Sequence, residues 1–136
     1  MSKKTYGKIA IISCLITCMI NILVVAQVIP FSLIGGGNLQ FYKDAVLMAT
    51  LSTVIQLLLI ICIVASSIVK TQSITKISNA ILYFFTVYLC INLILNLLGI
   101  TWFEKIVSSF ICLIQIFCFI KIRICKGENY YANWLQ

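Results

Sequence analysis

Pro30–Asp44, PFSLIGGGNLQFYKD, is the longest interruption in a chain that otherwise reads as apolar helix. It holds the only proline and three of the six glycines. Proline removes a backbone donor and forces the residues around it out of a helix, so Pro30 is the expected stop for the segment before it. That segment, Ile9 to Ile29, is apolar throughout except for isolated small or amide side chains. On the far side of the interruption, from about Ala45, a second run of the same kind begins.

Composition agrees with that reading. The 136 residues are 62% hydrophobic and 10% charged, with a mean hydropathy of +1.14. Globular domains sit near about 45–50% apolar and about 25% charged. A hydrocarbon core of about 30 Å asks for about 20 consecutive apolar residues in a helix. Four such runs use up nearly the whole chain, at about 9–29, 45–69, 77–98 and 102–120. The expectation is a single all-α integral membrane domain over 1–136, a four-transmembrane-helix bundle. Lys3, Lys4 and Lys8 ahead of the first run resemble the start of a signal peptide. The run continues past Met19 to Ile29, too long for a cleaved segment, so the first span is expected to be retained.

The lysines set the expected orientation. The N-terminal flank, the 70–76 link and the C-terminal flank hold three, two and three of the ten basic residues, and Lys43 and Lys105 are the other two. Eight against two is a strong positive-inside bias. Both termini and the 121–136 tail are therefore expected in the cytoplasm of a bacterium, with loops 30–44 and 99–101 outside its plasma membrane. The formal charge of +7 is explained by this flanking role, and no nucleic-acid partner is expected.

Few side chains could carry chemistry. There is no histidine, and Asp44, Glu104 and Glu128 are the only acids. No acid falls in a span core, where proton-coupled carriers place theirs, and no nucleophile–base pair or metal cluster is evident. The expectation is a protein that is not an enzyme and has no cofactor. Cys14 and Cys18 share one helix face. Cys62, Cys90, Cys112 and Cys118 also lie within spans, with Cys125 beyond the fourth. They read as small packing residues, with passage of a thiophilic metal as the alternative.

The polar residues inside spans are more informative. Asn21, Gln56, Asn92, Asn96 and Gln115 should turn toward the bundle interior and bond across helices, with Asn92 and Asn96 on one face of span three. Asp44 and Glu104 stand at the starts of spans two and four, where a helix's positive end favours an acid. Gly99 offers a C-cap for span three. Gly35, Gly36 and Gly37 free the backbone for close approach, and Phe31, Leu33, Ile34, Leu39 and Phe41 make the first loop too apolar for water. Together these residues outline an outer pocket or lid made of Pro30, Phe31, Gly35, Gly36, Gly37, Asp44, Asn92, Asn96 and Glu104. The expected role is binding of a hydrophobic ligand, a lipid or a membrane protein partner through the outer loops, as an accessory or immunity-type protein. A small transporter or homo-oligomeric carrier is the alternative.

The Pro30-Phe31 pair leaving span one, Gly35-Gly36 after it, and Asn92-Leu-Ile-Leu-Asn96-Leu-Leu-Gly99 with Glu104-Lys105 beyond it resemble a group of small four-span bacterial membrane proteins. The likeness covers the layout of the whole chain and about ten residues of motif. Those proteins usually carry tryptophan after the proline and a second proline before span two. Here Phe31 and Asn38-Leu39-Gln40 stand in those places. The resemblance implies four spans and an outer loop after the first; that group has no established activity to carry over.

Overall fold

The computed structural model describes residues 3–33, 41–68 and 72–124. Gly35, Gly36 and Gly37 lie outside the described residues. Four helices make up the fold: α1 (Lys3–Val25), α2 (Tyr42–Ile68), α3 (Gln72–Leu98) and α4 (Ser109–Ile124). A π turn over Glu104–Ser108 leads into α4. Each helix, with that turn counted into the fourth, is long and apolar enough to cross a membrane. At 1.5 Å per residue, the 23 residues of α1 reach about 35 Å, past a hydrocarbon core of about 30 Å. No strand occurs among the described residues.

Consecutive helices run antiparallel, and α4 returns to α1, closing a four-sided ring. The side chains show the directions. Lys3 at the start of α1 donates to the Ser66 carbonyl near the end of α2. Asn21 late in α1 donates to Thr53 in the first half of α2. Ser66 donates to Asn79 of α3. The Arg123 guanidinium at the end of α4 lies 4.7 Å from the Tyr83 ring in the first half of α3. One end of the bundle, the terminal end, thus holds both described termini. The other, the loop end, holds the α1–α2 and α3–α4 connections.

Burial runs opposite to that of a water-soluble bundle. Ile61, Phe84, Leu95 and Phe110 are each 60–68% exposed, while Ser13, Gln56, Ser66, Ser78, Thr86, Ser109 and Gln115 are buried. Small residues, Ala10, Cys14, Cys112 and Cys118, share the interior with Leu59, Ile63, Leu82, Leu89, Phe119 and Ile122. Lipid tails offer no hydrophobic gain for burying a leucine, so many large apolar side chains face outward, while small residues and interhelical hydrogen bonds share the interior with the rest.

Helix ends differ from the sequence expectation at several places: α3 begins at Gln72, so most of the expected 70–76 link is its first turn, and two further differences bear on the loop end. Pro30 does not stop α1. The helix closes five residues earlier with a Schellman arrangement: Val28 N–H bonds the Leu23 carbonyl (2.9 Å) and Gln27 N–H bonds the Val24 carbonyl (3.0 Å). Gln27 takes the left-handed position with φ 60°, a place that glycine usually fills. A side chain there costs on the order of 1 kcal/mol, so Gln27→Gly should raise stability by about 0.5–1 kcal/mol. Unfolding by SDS titration checks it, and a loss of stability would mean that the glutamine side chain makes a contact worth more than its strain. The second difference is at the start of span four, which opens as a π turn. The Ser109 backbone N–H and its hydroxyl (3.2 Å) both reach the Glu104 carbonyl.

Candidate functional site

The loop end is tied together by three short links. Phe31–Leu33 forms one 3₁₀ turn, with Leu33 N–H bonded to the Pro30 carbonyl at 3.0 Å. Proline's fixed φ suits the entry to such a turn. On one side, the Phe31 ring meets the Tyr42 ring edge-on at 6.2 Å, and the Tyr42 hydroxyl donates to the Val25 carbonyl. That bond joins the start of α2 to the open C-terminal carbonyls of α1, which have no partner within the helix. On the other side, the Thr101 hydroxyl lies 3.1 Å from the Leu33 carbonyl and 3.0 Å from Glu104 Oε2. Its single proton therefore has two acceptors within reach.

Thr101 and Glu104 form most of a capping box. The sequence Thr101-Trp102-Phe103-Glu104 has the required spacing of threonine and glutamate. The Glu104 backbone N–H points back to the Thr101 hydroxyl oxygen at 3.4 Å, and Lys105 N–H bonds the Thr101 carbonyl at 3.2 Å. Glu104 itself is buried, 5% exposed. Asp44, in contrast, is exposed in the first turn of α2, where an acid complements the helix's positive end. The two acids that look alike in sequence have different environments.

Gly99 explains how a carboxylate fits there. A Cβ on Gly99 would stand 2.7 Å from Glu104 Oε2 and 3.2 Å from the Asn96 carbonyl oxygen. Gly99 has no left-handed φ, so its value is space and not backbone freedom. It does close α3 as expected, its N–H reaching the Asn96 carbonyl at 3.2 Å.

Beneath this cap, Asn92 and Asn96 both turn onto α4. Their amide Nδ2 atoms lie 3.4 and 3.6 Å from Cys112 Sγ, so two donors converge on one buried sulfur. Deeper still, Gln115 Nε2 donates to Gln56 Oε1 at 3.1 Å and lies 3.6 Å from Cys14 Sγ. This contact spans the diagonal between α2 and α4. The five amides read as interior-facing thus take interhelical partners, with Asn21 on Thr53. The cysteines as acceptors have no signal in the sequence beyond their small size. Among the described residues, no three of His, Cys, Asp and Glu are grouped to hold a metal ion.

Of the nine outlined site residues, the structure brings Pro30 and Phe31 into the turn whose Leu33 carbonyl meets Thr101. It buries Glu104 under that turn, and it stacks Asn96 and Asn92 below. Asp44 stands apart in character, exposed on α2. Thr101, Tyr42 and Gly99 organise the site without being among the nine; the threonine–glutamate spacing is the readable signal. Around the cap lies a fringe of exposed apolar side chains, among them Val28, Phe41, Leu98, Ile100 and Trp102, each 64–75% exposed. Comparison of the chain with protein-family models, with curated proteins and with solved structures finds no match to any of them.

Proposed function

We propose that this chain is a non-enzymatic protein of a bacterial plasma membrane, with both termini cytoplasmic and the loop end outside, that binds a membrane protein partner through its outer cap. The observation that carries the reading is the Leu33–Thr101–Glu104 link. It joins the turn after α1 to the start of span four, so that two outer connections present one surface. Val28, Phe41, Leu98, Ile100 and Trp102 fringe that surface at 64–75% exposure, and aromatic anchors with large apolar neighbours are what protein interfaces concentrate. The orientation rests on the eight-to-two lysine and arginine asymmetry of the sequence and the positive-inside tendency.

A photo-reactive residue placed at Trp102, Phe41 or Ile61 in intact cells tests the reading. Trp102 and Phe41 belong to the cap, and Ile61 sits exposed in the α2 span. One discrete protein adduct is expected at the first two positions and absent at the third. Lipid adducts alone at all three positions would replace the protein partner with a lipid. A protein adduct equal at all three would move the interface to the spans.

A further inference from the structure

A second surface lies at the opposite end of the bundle. Tyr6 and Ile9 of α1 and Leu113, Ile114, Phe117 and Cys118 of α4 line an apolar groove of about 350 Å³. The Tyr6 and Phe117 rings meet edge-on at 6.0 Å along it, while Leu113 and Phe117 remain more than half exposed. We propose that this groove holds an acyl chain of an anionic phospholipid whose phosphate is taken by Lys121.

Three observations support that occupant. Lys121 lies three and four residues past Cys118 and Phe117, which puts it on the helix face that lines the groove. Its Nζ stands 5.5 Å from the Phe117 ring centroid, at the terminal end, where a lysine stem can run along apolar surface and leave its ammonium at headgroup depth. The charge around that end is complementary to an anionic headgroup. Lys4, Lys8 and Lys76 are exposed there, and Lys3 and Arg123 lie at the same end. A basic side chain close to an anionic bilayer surface strengthens attraction by about fivefold.

A comparison surface is built into the same molecule. Ile22, Val25, Ala26, Ala49, Thr50, Thr53 and Val54 line a groove of about 360 Å³ between α1 and α2 toward the loop end. No charged residue lines either groove. The α1–α4 groove differs in having Lys121 one helical turn past Phe117, its Nζ 5.5 Å from that lining ring, and that ammonium is the means to distinguish an anionic lipid from a zwitterionic one.

The test uses the full chain in nanodiscs of equal phosphatidylglycerol and phosphatidylcholine, released into the gas phase and weighed with its retained lipids. Wild type is expected to retain phosphatidylglycerol at least fivefold over phosphatidylcholine. Lys121→Gln should cut that preference by about fivefold, Lys121→Arg should restore it, and Lys43→Gln at the loop end should leave it unchanged. Ile9→Trp, which fills the groove, should lower retention of both lipids; Lys121→Gln changes a half-buried side chain near the end of α4 and keeps the test independent of that variant's folding. Equal retention of the two lipids by wild type, or an undiminished preference in Lys121→Gln, overturns the proposal. So does a second copy of the chain in place of lipid, with the dimer lost in Ile9→Trp. The readout concerns the terminal end alone, so its failure leaves the outer-cap reading standing, and the reverse holds too.

Discussion

Gln115→Ala is expected to lower the stability of the bundle by about 2–3 kcal/mol, the sum of a lost interhelical amide bond and the cavity left behind. Gln115 is 1% exposed and Gln56 is 6% exposed, so neither amide has water to fall back on. The bond between them, 3.1 Å from Nε2 to Oε1, crosses the diagonal of the ring and ties two helices that are not neighbours along its perimeter. Removing one partner leaves the Gln56 carbonyl oxygen buried with its donor gone, and an unmade buried bond costs more than a made one contributes.

That asymmetry can be measured directly. Gln115→Met keeps the volume and removes the donor, so it should cost about 1–2 kcal/mol. Adding Gln56→Met removes the stranded acceptor as well, and the double variant should recover most of that loss instead of doubling it. SDS-titration unfolding of the four proteins gives the coupling. Additive losses in the double variant would mean that each glutamine is held by other groups, with the diagonal bond contributing little.

The same two glutamines show how far the sequence could be read. Gln56 and Gln115 each interrupt an apolar run, and a polar group within a span must find a partner inside the bundle, so their inward direction was legible. Their pairing was not, because it depends on which helices lie diagonally. Asn92 and Asn96, four residues apart, likewise gave their common face but not their target, since Cys112 carries no sequence mark as an acceptor. The four spans were legible because hydrocarbon thickness fixes a run length that little else requires. Pro30 misled as the helix stop because the true closure uses Gln27 in a left-handed conformation, and glutamine gives no signal for that. Glu104 was readable as a first-turn acid beside Asp44. Its burial was not, because that depends on what Gly99 lacks and on the Leu33 carbonyl, 68 residues away in sequence from the Thr101 it meets.

Gly99→Val should therefore act on the cap more than on α3. The new side chain begins at a point 2.7 Å from Glu104 Oε2 and 3.2 Å from the Asn96 carbonyl oxygen. A carboxylate at the end of a flexible side chain can move, but this one is buried and held 3.0 Å from the Thr101 hydroxyl. Moving it gives up that contact, and with it the hydroxyl's fixed position against the Leu33 carbonyl. Overpacking of this kind costs about 1–3 kcal/mol, and glycine's replacement in a non-left-handed position adds no backbone strain to it. Two readouts separate the cause. Gly99→Val should lose stability and weaken the protein adduct formed from Trp102. Combining Gly99→Ala with Glu104→Ala should cost less than the two changes summed, because the second removes the atom that the first collides with. Unchanged stability and an undiminished adduct in Gly99→Val would show that Glu104 vacates its place without cost. The two loop-end connections would then be joined by something other than the threonine–glutamate link, and the cap would lose its claim to be one preformed surface.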